Sequence, residues 1–229
     1  MISIKSLTVS YSNEEKVINN LSLELEGGCI HGIVGLNGAG KTTLLKAIFG
    51  LLKLDTGSVF LNGKPLTKKE TGYLPAENFF YSSITGSEYL SLFKNKSFET
   101  EKWNELFGLP LDELIDNYST GMKKKLALLG VLKPDKQVMI LDEPFNGLDI
   151  ETGRILRSVL LQLKKTGKLI IVTSHILETL TNLCDYIHHL EKGIIDITIK
   201  KPDFGTYEKE LYAKIENRSE IIIRELLKK

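Results

Sequence analysis

Eight consecutive residues limit what this chain can fold into more than any other stretch. Gly35-Leu36-Asn37-Gly38-Ala39-Gly40-Lys41-Thr42 satisfies G-x-x-x-x-G-K-[ST], a pattern with chemical use in one setting, a turn between a strand and a helix. Its flanks agree, with a short apolar strand from Cys29 to Val34 and a helix from about Lys41. Glycines let the backbone curl so that successive N–H groups point at β- and γ-phosphates. The helix N-terminus adds its dipole. Lys41 supplies a point charge to the phosphates, and the Thr42 hydroxyl is a ligand for Mg²⁺. With glycine at about 7% of residues, a chance match in this length is well under about one in fifty. The octet is therefore read as a nucleotide-phosphate loop.

A second apolar strand, Val138-Met139-Ile140-Leu141, ends in Asp142 and Glu143. Charge at a buried strand's end asks for a use. Asp142 is placed to hold a magnesium ion through water and Glu143 to polarise an attacking water. Many nucleotide enzymes share these two features, so the rest of the chain discriminates. Tyr118-Ser119-Thr120-Gly121-Met122 opens a helix that continues Leu126-Ala127-Leu128-Leu129. Asn146-Gly147-Leu148-Asp149 follows the carboxylates directly, and His175 stands at the end of an apolar strand over 168–173.

In order and spacing these five motifs resemble the ABC transporter ATPase family over residues 1 to about 199. The resemblance implies an α/β fold: a P-loop NTPase core with a mostly parallel sheet, an antiparallel β subdomain and an inserted α-helical subdomain. It implies ATP and Mg²⁺ as ligands, and two cassettes paired head to tail around two ATP molecules. Tyr11 would stack on adenine, against an ordinary strand-end aromatic as the alternative. Gly35 opens the loop, and Asn37, Gly38, Ala39, Gly40, Lys41, Thr42 and Thr43 would wrap the phosphates. Thr42 and Asp142 would stand at the metal, Glu143 would be the general base, and His175 would contact the γ-phosphate. Ser119 and Gly121 would reach the partner's ATP, and the loop from Asn146 to Asp149 would line the seam. The partners implied are a separate transmembrane permease subunit and an ATP-dependent homodimer or paired cassette, with no nucleic acid. The expected location is cytoplasmic, peripheral at the inner face of the cell membrane through that permease.

The remaining pattern fits. Residues 2–10 and 21–25 alternate apolar and polar and read as half-buried strands. Residues 58–62 look like a hairpin arm before Asn62-Gly63, and 186–199 like a β-hairpin around Lys192-Gly193. Strands alternating with helices (151–165, 176–184) imply a parallel sheet covered on both faces. The helical stretch 85–133 interrupts that alternation, so an insertion over about 78–134 is expected within a cassette spanning 1–202, before a charged helical tail over 203–229. Apolar runs are strand-sized, well short of the about 20 residues a membrane span needs. The start, MISIKSLTVSYSN, lacks a signal peptide's apolar block. Lys+Arg 30 against Asp+Glu 29 leaves no field to hold nucleic acid. Cys29 and Cys184 fit no metal spacing and read as reduced thiols.

Departures from the family pattern mark where the reading stays open. The signature is Tyr-Ser-Thr-Gly-Met, retaining Ser119 and Gly121. In Gly72-Tyr73-Leu74-Pro75-Ala76-Glu77 the family's glutamine is replaced by Ala76, so either Glu77 or water takes its role. Lys123, Lys124 and Lys125 crowd a helix N-terminus, where cations oppose the dipole; either a nearby polyphosphate relieves this or they form a solvated face. Phe79-Phe80-Tyr81 follow in a loop. Three consecutive rings cannot all turn inward, so at least one is expected to be exposed, where the family receives its membrane subunit. The Tyr118-to-Met122 signature, Leu74-Pro75-Ala76-Glu77 and Glu143-Pro144-Phe145-Asn146-Gly147-Leu148-Asp149 together resemble bacterial drug- and antimicrobial-peptide-exporting cassettes. The competing reading is a soluble ABC ATPase uncoupled from transport.

Overall fold

The computed structural model describes residues 1–12 and 15–210. In chain order its strands are β1 (Ile2–Ser12), β2 (Glu15–Leu25), β3 (Ile30–Val34), β4 (Thr56–Leu61), β5 (Lys64–Pro65), β6 (Thr71–Leu74), β7 (Val138–Leu141), β8 (Leu169–Ser174), β9 (Tyr186–Glu191) and β10 (Ile194–Lys200). Its helices are α1 (Lys41–Phe49), α2 (Gly86–Ser91), α3 (Thr100–Glu105), α4 (Thr120–Leu132), α5 (Ile150–Lys165) and α6 (Leu177–Thr181).

Two kinds of strand pattern give two sheets. The alternating strands form an antiparallel sheet in the order β2-β1-β4-β5. The continuous apolar strands form a six-stranded sheet in the order β10-β9-β3-β8-β7-β6, parallel except where β10 returns beside β9. Side chains alternate across a strand, so a run apolar at every position needs cover on both faces. Here it has it. Val138 and Ile140 of β7, with Leu169 and Ile171 of β8, join a core shared with β1, β2 and Leu44, Leu45 and Ile48 of α1. Met139 and Leu141, with Ile170 and Val172, join the opposite core beneath α4 and α5.

The chain leaves the parallel sheet at Leu74 and returns at Val138, and the helical stretch lies between. It is less regular than its periodicity implied, with two six-residue helices and a 3₁₀ turn over Ile115–Asn117 before the longer α4. Asn104 explains one break, because its side chain donates to Leu109 O and accepts from Leu109 N. The expected helix over 176–184 is shorter, closing at Thr181. β6 was not anticipated: four residues bounded by Pro75 are too few to show a period, and only pairing with β7 defines them.

Both hairpins turn where Asn-Gly and Lys-Gly foretold, with positive φ at Asn62 (50°), Gly63 (80°), Lys192 (49°) and Gly193 (78°). The second turn is wedged under the phosphate loop: Gly193 N donates to Ala39 O and its carbonyl accepts from Asn19 N. Of the segment 203–229, residues 204–210 are helical, with Phe204 and Tyr207 buried in the core beneath α5. Residues 211–229 lie outside the described residues.

Candidate functional site

The carboxyl ends of β3, β7 and β8 lie side by side, and each delivers one part of a site. β3 runs into the glycine-rich loop, β7 ends at Asp142, and β8 runs into His175. In open parallel sheets such an edge is where ligands bind, because loops there diverge above the strand ends. A cavity of about 450 Å³ opens here, lined by Val17, Asn37, Gly38, Gly40, Lys41, Thr42, Thr43, Glu143, Asn146 and His175. Its volume falls within the roughly 300–1,000 Å³ of small-ligand clefts.

The loop's shape follows from its glycines. A Cβ on Gly35 would stand 2.4 Å from Leu190 O, so β9 permits no side chain there. Gly40 sits at φ 104° immediately before α1, a conformation L side chains rarely adopt. Lys41 is buried, with its ammonium folded onto the loop's own carbonyls, Gly35 O at 2.7 Å and Leu36 O at 3.3 Å. Glu143 Oε1 stands 3.9 Å away. Burial pushes the amine's pKa down, and the Glu143 and Asp142 carboxylates oppose that shift. Thr42 is half-buried at the cavity wall. Tyr11 is 62% exposed at the rim, its hydroxyl 3.2 Å from Thr43 Oγ1.

The acidic strand end is braced from β8. Thr173 Oγ1 donates to Asp142 Oδ1 at 2.7 Å and accepts from Glu143 N at 2.9 Å. Glu143 takes φ 47°, a left-handed value unfavourable for a residue with a side chain. Its other carboxylate oxygen lies 3.0 Å from His175 Nδ1. Asp142 is fully buried, and its Oδ2 has no hydrogen-bond partner among the described residues. A buried orphan oxygen is costly unless something meets it. A carboxylate oxygen with an unmet lone pair is a hard donor, of the kind that suits Mg²⁺, and the Thr42 hydroxyl at the cavity wall is a second hard oxygen. Glu77 is exposed, and neither it nor Ala76 lines the cavity.

Ser119 and Gly121 lie elsewhere, at the opening of α4. Ser119 is the helix N-cap, its hydroxyl accepting from Met122 N at 3.2 Å. A Cβ on Gly121 would meet nothing closer than Ser119 Oγ at 3.9 Å and Gly147 O at 4.0 Å. Asp149 caps α5, accepting from Thr152 N and Thr152 Oγ1, both at 2.8 Å. Those donors hold its carboxyl below the usual range. None of the three lines the cavity.

One reading changes and another is borne out. Lys124 is not part of a solvated face: it is 8% exposed and donates to Glu143 O at 2.9 Å and Asn146 O at 2.5 Å. Sequence reasoning singled out the three lysines as cations at the wrong end of a helix, but missed that Lys124 holds the turn after β7. Of the three aromatics, Phe79 (87%) and Tyr81 (71%) are exposed, while Phe80 packs on Tyr89 with centroids 4.9 Å apart. Phe80 is half-buried and packs against the core. His188 and His189 face opposite ways, His188 to the buried His31 at 3.1 Å and His189 to Asp196 at 2.7 Å.

The family model described as "ABC transporter" matches residues 18–146. An uncharacterized ABC transporter ATP-binding protein of Methanocaldococcus jannaschii is 35% identical over 212 residues, 84% of this chain and 74% of that protein. An energy-coupling factor transporter ATP-binding protein of Thermotoga maritima is 37% identical over 210 residues, covering 85% of this chain and 80% of its own length. Among solved structures, the ATP binding subunit of an ABC transporter superposes with a TM-score of 0.84 at 26% identity, covering 94% of this chain and 99% of the other. A dimeric cassette in a post-hydrolysis state, bound to ADP and Pi, has the same fold at 20% identity and a TM-score of 0.77, over 88% of this chain and 99% of its own.

Proposed function

This chain belongs to the ABC transporter family, and on that premise we propose that it hydrolyses ATP to power an exporter through a separate membrane subunit. One observation carries the reading. The Glu143 carboxylate is held at the cavity between Lys41 and His175, with one oxygen toward each.

The phosphate loop from Gly35 to Thr43 binds the triphosphate through its backbone N–H groups. Lys41 exchanges its two carbonyl partners for phosphate oxygens. Tyr11, tethered at the rim, faces the base. Glu143 accepts a proton from the water that attacks the γ-phosphorus, and the products are ADP and inorganic phosphate. His175 steadies that carboxylate and donates toward the γ-phosphate. Thr42 and Asp142 would hold Mg²⁺, which would supply neutralising charge to the phosphate oxygens.

Ser119, Gly121 and the seam around Asp149 stand outside this cavity, so their nucleotide belongs to a second copy. Exposed Phe79 and Tyr81, beside the loop after β6, present large rings suited to a docked helix of the membrane subunit. That docking would hold the chain at the cytoplasmic face of the membrane. Among the described residues no helix is long and apolar enough to cross it. The direction assigned, export, rests on the likeness of the Tyr118-to-Met122 and Leu74-to-Glu77 stretches to exporting cassettes.

Light scattering of Glu143→Gln tests the assembly. Mass should double with MgATP, and a strict monomer at saturating nucleotide overturns the sandwich. In vesicles with the cassette outermost, ATP should drive substrate inward; ATP-driven efflux would reverse the assigned direction.

A further inference from the structure

Lys124 sits where elementary helix physics argues against it. It lies near the N-terminal end of α4, which repels cations, and its ammonium is buried, which is costly unless the charge is fully met. Such a breach of local rules without structural need marks a site where something else is gained. The ammonium spends two donors on one short segment, the carbonyls of Glu143 and Asn146. Its pKa is lowered by burial and supported by the nearby Glu143 and Asp142 carboxylates.

We propose that Lys124 is a positioning residue for Glu143, tying the helix that opens at Ser119 to the turn that carries the base. Glu143 needs such a tie. Its left-handed backbone is held at N by Thr173 Oγ1, and at O by Lys124 and by Asn146 N at 3.2 Å. Without Lys124, the carbonyl keeps only a donor from its own turn. A strained conformation persists only while its surroundings over-determine it.

The rest of α4's opening grips the same segment. Lys125 reaches Asp149 Oδ2 at 3.8 Å, so successive lysines hold both ends of residues 143–149. Gly121 faces the same segment, since a Cβ built there would stand 4.0 Å from Gly147 O. The helix opening and the catalytic turn thus form one mechanical unit. The consequence rests on the reading that Ser119 and Gly121 face a second copy's ATP. When that nucleotide engages the helix opening, any shift of α4 is carried through the Lys124 ammonium to the Glu143 backbone. Hydrolysis in a chain's own cavity then depends on what its signature holds.

Lys124→Met keeps the stem and removes the donors, and Lys124→Arg keeps a cation with several. Lys124→Met should lower kcat at least tenfold while KM for ATP and ATP binding by the isolated chain stay within twofold. Lys124→Arg should recover a good part of the loss. Added to Glu143→Gln, Lys124→Met should cost nothing further, because it acts through that residue. A normal kcat in Lys124→Met overturns the inference. So does equal loss of ATP binding and melting temperature with no recovery in Lys124→Arg, which would make Lys124 a plain helix anchor. If Glu143→Gln itself hydrolyses normally, the base assignment falls and this inference with it. If Glu143→Gln is inert and Lys124→Met is normal, only this inference falls.

Discussion

The phosphate-loop half of the site and the signature half differ in how complete they are within one chain. Around the loop every charged group already has a partner: Lys41 rests on carbonyls, Glu143 lies between Lys41 and His175, and Asp142 is braced by Thr173. Among the described residues Asp142 Oδ2 is left without a partner, and it points to a metal. At the signature, Ser119 does no more than cap a helix, and a Cβ on Gly121 would meet nothing closer than 3.9 Å. Pre-organised groups act without being rearranged at the moment of reaction. A half without an internal partner is built to receive one. On the proposed reading, the contrast assigns nucleotide binding to the single chain and turnover to a pair.

The sharpest way to break this comparison is Glu143→Gln. It should keep ATP binding and lose turnover by about 10²–10⁴-fold, the usual worth of a positioned base. Phosphate release alongside nucleotide binding measures both, and near-normal hydrolysis would empty the finished half of its main actor.

Next in size is a contrast among the aromatics. Phe80→Ala should cost about 2 kcal/mol of stability or more, as for a ring removed from packing. Tyr81→Ala, 71% exposed, should change stability by under about 0.5 kcal/mol and weaken co-purification with the membrane subunit. Denaturant melts and pull-down of the two variants separate core from docking face.

Beneath the loop lies a pH-sensitive support. His31 on β3 and His188 on β9 are buried 3.1 Å apart, backed by Glu26 O and Thr198 Oγ1 and stacked with Tyr186. Burial, reinforced by His31, drives His188 down to about 3, and burial lowers His31. Unfolded histidine titrates near about 6.5, so between there and about pH 3 the unfolded chain binds more protons at His188. Stability is therefore whole above about pH 6.5 and falls as pH drops below it, by at most roughly 1.4 kcal/mol per pH unit for each histidine. His188→Gln should flatten that slope in melts from pH 7 to 5; an unchanged slope would remove the pair from the account.

Smallest in energy is Gly121→Ala. The site has room for a Cβ, and alanine favours helix over glycine by about 0.5–1 kcal/mol. Folding should strengthen slightly while ATP-driven pairing and hydrolysis weaken. Unchanged hydrolysis would show that the open half receives nothing.

Local pattern was legible wherever chemistry demands adjacent residues. The octet from Gly35 to Thr42, the carboxylates ending β7 and the two hairpin turns each carry their signal within a few positions, because backbone torsion and side-chain chemistry act locally. Continuous apolar runs foretold a sheet covered on both sides, since no strand hides both faces alone. Other features carry no local signal. β6 exists because β7 offers an edge, and Phe80 packs against the core while its neighbours do not because Tyr89 lies beneath it. Lys124 reads as surplus charge until the turn after β7 folds against α4. The kinds of group needed for ATP chemistry were set by the sequence alone. Which lysine holds which carbonyl, and which ring faces solvent, was decided only when segments far apart in the chain packed together, because desolvation and hydrogen-bond distance depend on neighbours the local sequence does not contain.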